Sequence, residues 1–262
     1  MKLTKHHGLG NDFLVVFHPD VDDLPALARR LCDRKRGIGA DGLLVGESAE
    51  GVSAAMVLYN ADGSRAEMSG NGIRCFAQAL AARRGDLSPQ LIATDAGVRR
   101  VELQPTEDPL TVLAAVEMGE VVDIGEPAGW ADVGANPDRP VAHLGVGNPH
   151  TVVCVDDVAA VDLRSLGALV PDVNLEIVEP GPGPGAITMR VHERGAGITE
   201  ACGTGAVASA WAASRWGLVA AGTTELVVHM DGGSAKVSLH RPAPGQATLT
   251  GPATYVATIE VP

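Results

Sequence analysis

An internal repeat constrains the fold of this chain more than any other sequence feature. Residues 69–72 read Ser-Gly-Asn-Gly and residues 202–205 read Cys-Gly-Thr-Gly, so the two turns lie 202 − 69 = 133 positions apart in a chain of 262. Each turn precedes a helical pattern, predicted over residues 73–84 and 206–216. A repeat with a spacing near half the chain length predicts two similar halves.

Two further matches keep nearly the same spacing. Asn60 stands nine positions before Ser69, and Glu193 stands nine positions before Cys202. Gly-x-Gly-Asn occurs at residues 8–11 and again at 145–148, which is 148 − 11 = 137 positions later. Three matches in register indicate an ancient duplication. We therefore expect two related lobes with a cleft between them.

The local patterns predict an α/β (α+β) fold with more strands than helices. A helix is expected from about Asp23 to Arg34 and another over 162–169. The Gly-Pro-Gly-Pro-Gly run at 181–185 is expected to be an exposed loop. Short runs of β-branched and aliphatic residues predict strands at 13–17, 43–45, 55–58, 151–155, 188–191 and 226–229.

Charge and cysteine usage limit the partners. The formal net charge is −12, which makes nucleic acid and anionic membranes poor partners but does not repel a small zwitterion. The first residues lack the apolar region of a signal peptide, and no apolar run approaches the roughly 18 residues that span a bilayer. The four cysteines are far apart and form no C-x-x-C pair, so we expect reduced thiols and a cytoplasmic setting.

The two glycine-rich turns are the candidate chemical sites. A small residue, Gly-x-Gly and then a helix bring backbone N–H groups and the positive end of the helix dipole together, which favours carboxylate binding. The same position is expected to lower the pKa of a thiol, so Cys202 is a candidate base or nucleophile. The alternative is a small cysteine that only packs under a helix. Glu193 and the Gly-Asn-Pro-His turn at 147–150 favour the chemical interpretation, because polar groups on loops are often functional.

No motif predicts a cofactor or a metal. Residues 37–42 match the dinucleotide fingerprint letter for letter, but a predicted helix precedes them and a strand follows, which is the wrong order for nucleotide binding. No Walker lysine follows a glycine-rich turn, and the histidines have no metal-ligand spacing with the cysteines. We expect chemistry by side chains alone.

Six blocks in order along the chain resemble the diaminopimelate epimerase family. They lie at residues 7–13, 37–41, 60–64, 70–75, 147–150 and 193–205. The resemblance implies two pseudo-symmetric lobes, each of mostly antiparallel strands wrapped around a central helix, with the active site in the cleft. Because the family's last strand returns to the first lobe, it also implies lobes of 1–115 plus 252–262 and 116–251.

The resemblance implies epimerisation of LL-diaminopimelate to the meso form without a cofactor, in a homodimer. In that family two cysteines on opposite faces of the substrate exchange the α-proton. Cys202 matches one of them, and His150 and Glu193 match the residues that set the thiol pKa values. The implied substrate-binding residues are Asn11, Asn60, Gly70, Asn71, Asn148, Asn174, Glu193, Arg194, Gly203 and Thr204.

Ser69 stands where the family has its other catalytic cysteine. A hydroxyl is far less acidic than a thiol, so serine is a poor proton acceptor, although it can still donate a proton. Cys75 lies six positions on in the helix and is expected to be a core residue. Milder departures are Gly42, where many relatives carry glutamine, and Ile198, where glutamate is usual.

Three readings follow. The first is an epimerase with an unequal Ser69/Cys202 pair. The second is a related cofactor-independent racemase, isomerase or dehydratase. The third is a substrate-binding pseudoenzyme without turnover, and a serine introduced to trap a complex is a further explanation of position 69.

Overall fold

The computed structural model describes residues 1–261 and divides into two compact units. Unit 1 comprises Met1–Val116 and the residues from Gly251 onward, and unit 2 comprises Glu117–Thr250. Two long strands, β8 (Thr111–Glu120) and β17 (Gln246–Glu260), run through the boundaries. The predicted fold class, mostly strands with few helices, is confirmed.

Unit 1 contains two helices, α1 and α2, and a set of short strands. The helices are α1 Leu24–Cys32 and α2 Gly70–Arg84. The strands are β1 Lys2–Gly8, β2 Asn11–Phe17, β3 Gly42–Glu47, β4 Ala54–Asn60, β5 Arg65–Ala66, β6 Gln90–Thr94 and β7 Gly97–Pro105, with the first part of β8 and the second part of β17.

Unit 2 contains the corresponding elements. The helices are α3 Leu163–Gly167 and α4 Gly203–Trp216, and a short 3-10 helix covers Trp130–Val133. The strands are β9 Val122–Asp123, β10 Val141–Gly145, β11 Pro149–Cys154, β12 Asn174–Pro180, β13 Ala186–Glu193, β14 Gly197–Thr199, β15 Glu225–Met230 and β16 Gly233–Leu239, with the second part of β8 and the first part of β17.

The strand pairings repeat between the units. In unit 1, β2 pairs with β3 in parallel, β3 with β4 antiparallel and β4 with β6 in parallel. In unit 2, β11 pairs with β12 in parallel, β12 with β13 antiparallel and β13 with β15 in parallel. The hairpins β6–β7 and β15–β16 then follow. The repeat that the glycine turns predicted therefore extends through the whole topology.

Each unit buries one helix against its strands. Residues Gly70 to Ala81 of α2 are all buried, and α4 is buried over nearly its whole length. A helix covered on all sides belongs to a core, and the small residues of α4, largely Ala, Gly and Ser, let the strands approach closely. Left-handed glycines end both helices, Gly85 at φ 79° and Gly217 at φ 73°.

The central helices begin three residues earlier than predicted, at Gly70 and Gly203 instead of 73 and 206. The glycines form the first helical turn because Ser69 and Cys202 cap the helices and hold that turn. The helix predicted to end near Arg34 ends at Cys32, and the one predicted over 162–169 covers only Leu163–Gly167.

The other local predictions are confirmed with small shifts. All six predicted strands lie on strands, although Val155 falls just outside β11. Residues 181–185 connect β12 to β13 as a loop. Residues 37–41 lie between α1 and β3, so the dinucleotide-like sequence does not join a strand to a helix. Across residues 1–261, no helix is both long and apolar enough to cross a membrane.

Candidate active site

Ser69 and Cys202 occupy equivalent positions, each immediately before the central helix of its unit. Ser69 has φ −138° and ψ 121°, and its Oγ accepts a hydrogen bond from the Gly72 N–H at 3.0 Å. Cys202 has φ −125° and ψ 115°, and its Sγ accepts one from the Gly205 N–H at 3.3 Å. Both side chains therefore lie at the positive end of a helix dipole, beside the N–H groups of the first helical turn.

In unit 1, a hydrogen-bonded amide network adjoins the Ser69 turn. Asn71 is 1% exposed, and its Nδ2 donates to Asn11 Oδ1 at 3.2 Å. Asn11 Nδ2 donates in turn to Asp41 Oδ2 at 2.7 Å. The buried Arg74 donates to Asn71 Oδ1 at 2.7 Å and to the Gly70 carbonyl at 3.2 Å. These contacts hold both predicted asparagines in fixed orientations.

Asn60 belongs to the same edge of the unit 1 sheet. It ends β4 and pairs with Gly42, which also pairs with Phe13 on β2, two residues after Asn11. Its Nδ2 donates to Ser64 Oγ at 3.0 Å. The fold thus brings Asn60 to the sheet edge on which Asn11 lies, while its side-chain hydrogen bond to Ser64 stays within the 60–64 turn.

In unit 2, Cys202 stands at one end of a chain of hydrogen bonds. Cys202 Sγ lies 3.5 Å from Thr204 Oγ1, and Asn148 Nδ2 donates to that hydroxyl at 3.3 Å. His150 Nε2 lies 2.9 Å from Asn148 Oδ1. The structure therefore joins four predicted residues in one network.

Three more predicted residues lie nearby, Asn174 and Glu193 on neighbouring strands and Arg194 in the turn after β13. Asn174 begins β12, pairs with His150 in the parallel ladder, and donates to the Pro149 carbonyl at 3.1 Å. Its Oδ1 accepts from the Arg194 backbone N–H at 2.9 Å. Glu193 ends β13, and its Oε1 accepts from the Thr199 hydroxyl. Glu193 is also close enough for its charge to raise the pKa of Cys202.

The expectation that the turn lowers the pKa of Cys202 is wrong. Burial raises the pKa of this thiol well above its usual value, and the negative charges of Glu193 and Glu176 raise it further. The hydrogen bonds from Thr204 and the Gly205 N–H act in the opposite direction but do not prevail. The helix terminus favours a thiolate only where the thiol is not also desolvated beside carboxylates.

Cys75 does not replace the missing second cysteine. Its side chain is fully buried on α2, and burial raises the pKa of its thiol to about 12. It lies in the interior of the helix, whereas Ser69 caps the N-terminus. The prediction that Cys75 is a core residue is confirmed.

Glu176 is a site residue that the sequence patterns did not indicate. This residue lies on β12, is 0% exposed, and its Oε1 lies 2.7 Å from His150 Nδ1. Glu176 therefore joins the hydrogen-bond network of Cys202 through His150. It is the second acidic group near Cys202, after Glu193. The available signal was a glutamate between Leu175 and Ile177 in a predominantly apolar stretch, since a buried charge needs a partner.

Metal ligation has no support in the described part of the chain. No group of three or more His, Cys, Asp or Glu side chains that could hold an ion occurs among residues 1–261. The four cysteines, all within that range, are free and buried.

Comparison with known proteins shows which proteins this chain is similar to. The family model described as diaminopimelate epimerase matches residues 3–124 and 143–256. The diaminopimelate epimerase of Desulfitobacterium hafniense is 37% identical, covering 98% of this chain and 96% of the relative. That of Mycobacteroides abscessus is 39% identical, covering 100% and 96%. A phenazine biosynthesis protein of the PhzF family from Bacillus anthracis has the same fold, with a TM-score of 0.77 at 14% identity over 100% of this chain and 99% of that protein.

Proposed function

Because the chain belongs to the diaminopimelate epimerase family and is an isomerase of the racemase and epimerase type, we propose that it epimerises LL-2,6-diaminopimelate to the meso form. The proton transfers at the α-carbon use Cys202 as one base, with Ser69 in the place of the second cysteine. The reaction serves the synthesis of lysine and of peptidoglycan precursors. It uses no cofactor.

One observation carries this proposal. Ser69 and Cys202 cap the central helices of the two units with nearly the same backbone angles, and each accepts a hydrogen bond from the N–H of the glycine three positions later. The duplicated fold provides one side chain for proton transfer at each of the two equivalent turns. This arrangement suits epimerisation, which needs one proton-transferring group on each face of the α-carbon. The proposal requires both groups to meet the same substrate carbon.

The chemistry is a two-step proton transfer. The Cys202 thiolate takes the α-proton, the C–H bond breaks, and its electron pair moves into the α-carboxylate. A proton delivered to the opposite face, from the Ser69 hydroxyl or a water held by it, then forms the new C–H bond. Backbone N–H groups at Gly70, Asn71, Gly203 and Thr204 stabilise the charge that develops on the carboxylate oxygens.

The remaining site residues bind the rest of the substrate. The amide groups of Asn11, Asn60, Asn148 and Asn174 and the carboxylate of Glu193 suit an ammonium group, and Arg194 suits the distal carboxylate. His150 and Glu193 influence the ionisation of Cys202. These assignments rest on the networks described above and on the match of each position to the family.

Deuterium exchange in D₂O tests the proposal. We expect the α-hydrogen of one diaminopimelate stereoisomer to exchange through Cys202 at least about tenfold faster than the hydrogen removed from the opposite face, because a hydroxyl is a much weaker base than a thiol. Exchange is followed by NMR or mass spectrometry with LL- and meso-diaminopimelate. Proline and histidine serve as control substrates.

The outcomes separate the candidate functions. Equal and fast exchange from both faces contradicts a weak base at position 69. Exchange of proline in preference to diaminopimelate favours the related racemase. Binding of diaminopimelate without exchange from either face favours a substrate-binding pseudoenzyme, the second candidate that the Ser69 substitution supports.

The pH dependence of exchange follows from the raised pKa of Cys202. A thiol whose pKa lies above its usual value is mostly protonated at neutral pH, so the thiolate base becomes more abundant as pH rises. We expect exchange through Cys202 to increase from pH 7 into the alkaline range. A rate that is flat, or that falls, over this range in a protein that remains folded contradicts the assignment of Cys202 as the base.

The setting and partners complete the proposal. We expect a cytoplasmic homodimer that binds a small amino acid and neither nucleic acid nor membranes. The net charge of −12 supports the absence of polyanionic partners. The family resemblance supports the dimer.

A further inference from the structure

The buried pair formed by Glu176 and His150 occurs in only one of the two repeated units. His150 pairs with Asn174 in the ladder of β11 and β12, and Glu176 follows two positions later on β12. In unit 1, Phe13 pairs with Gly42 in the ladder of β2 and β3, and Leu44 follows two positions later. The unit that carries Ser69 thus has a phenylalanine and a leucine where the unit that carries Cys202 has a histidine and a glutamate.

The glycine turns confirm this equivalence. A Cβ atom on Gly72 would lie 3.2 Å from Ser69 Oγ and 3.4 Å from Leu44 Cδ2. A Cβ atom on Gly205 would lie 3.2 Å from Cys202 Sγ and 2.5 Å from Glu176 Oε1. The Glu176 carboxylate therefore lies directly under the first turn of α4, and a side chain at position 205 would force this carboxylate to shift.

The hydrogen bonds of Asn148 assign the role of His150 Nε2. Asn148 Nδ2 donates to Thr204, so its Oδ1 faces His150 Nε2, which must carry a hydrogen and donate. A further proton lies between His150 Nδ1 and Glu176 Oε1, which are 2.7 Å apart. The pair therefore shares one proton and is neutral as a whole, which makes its complete burial tolerable.

One polar atom of the Glu176–His150 pair lacks a hydrogen-bond partner. Glu176 Oε2 is buried and has no hydrogen-bond partner in the described part of the chain. Such an atom costs free energy that a leucine, as at position 44, would avoid. A costly group retained next to one reactive side chain and absent next to its counterpart points to a role in that side chain's chemistry.

We propose that Glu176 is a positioning residue for Cys202. Its carboxylate holds His150 in one tautomer and orientation, and His150 in turn holds Asn148 and Thr204 against the Cys202 thiol. The carboxylate end of this neutral pair also lies beside the Cys202 turn, where its oxygens, with the charge of Glu193, disfavour the thiolate. The expected effect of Glu176 on the exchange rate rests on the proposed function. Its expected effect on the pH at which the Cys202 thiol ionises does not.

Two readouts on Glu176→Gln test this. The amide keeps the size and a hydrogen bond to His150 but loses the ionisable carboxyl group and the shared proton. We expect the pH midpoint of thiolate formation at Cys202, followed by ultraviolet absorbance without substrate and with Cys202→Ser as the blank, to move to lower pH. At a pH above both thiol midpoints, where the thiolate is fully formed in both proteins, we expect saturated exchange through Cys202 to fall roughly tenfold or more with little change in KM, since a buried carboxylate that orients a histidine has effects of this size or larger.

Matched variants control for folding and for charge. Glu179→Gln makes the same change on the same strand. The Glu179 carboxylate accepts a hydrogen bond from the Val158 N–H, which lies outside the network, so this variant should alter neither readout. The double variant His150→Phe/Glu176→Leu installs the residues of unit 1, a pair already packed at the equivalent positions. It should fold and show the same two effects.

An unchanged thiol midpoint and unchanged exchange in folded Glu176→Gln, or in the folded double variant, would overturn the inference. A wild-type protein that exchanges no amino acid would refute the proposed function and leave the thiol titration as the test of Glu176. The two failures are therefore distinguishable.

Discussion

Replacing Cys202 with serine is expected to reduce α-proton exchange by about a thousandfold while leaving the fold intact. The loss follows from the chemistry, because a positioned general base contributes about 10²- to 10⁴-fold and a hydroxyl does not ionise at neutral pH. Retention of the fold follows from the repeat. Ser69 already caps α2 in the geometry that a serine would adopt at position 202, and serine is a favoured N-cap residue.

Circular dichroism and the melting temperature measure the fold, and deuterium incorporation measures the loss. Cys154→Ser is the matched control, since Cys154 is a buried cysteine of the same unit on β11 that lies outside the Cys202 network. The control should exchange at the wild-type rate. If Cys202→Ser exchanges as fast as the control, Cys202 has no part in the proton transfer.

Local sequence patterns predicted the structural features that are set by residues close together in the chain. Gly-x-Gly followed by a helical pattern identified both turns, and the repeat identified the residues that occupy equivalent positions. The sequence did not reveal that Gly70 and Gly203 belong to the helices, because glycine is normally a poor helix residue. Here the capping side chains and the surrounding strands override that preference.

The ionisation of Cys202 could not be predicted from its turn. The helix terminus is a local feature, whereas burial and the charges of Glu176 and Glu193 come from strands β12 and β13, distant in sequence. Placing Glu176 beneath the turn requires the register of the parallel β11–β12 ladder. That register is set by packing of the whole unit, which a short sequence window does not contain.

Replacing Ser69 with cysteine is expected to raise the rate of epimerisation by about a hundredfold. A thiol at this position would be acidic enough to act on the face that serine serves poorly, and a general acid–base group accounts for an effect of this order. The site should accept the larger sulfur atom, because Cys202 occupies the same capping position with its Sγ 3.3 Å from the Gly205 N–H. Interconversion of LL- and meso-diaminopimelate, with deuterium incorporation resolved by stereocentre, measures the gain.

Two comparisons make the Ser69→Cys result specific. Ser88→Cys adds a thiol on an exposed loop of the same unit and should leave the rate unchanged. In Ser69→Cys/Cys202→Ser the unequal pair is reversed, so the faster exchange should move to the opposite stereochemical face. A Ser69→Cys variant no faster than wild type, or a double variant that keeps the original preference, would remove position 69 from the proton transfer. Reversal of the preference would establish that the capping residues of the two units, rather than their surroundings, decide which face of the carbon reacts faster.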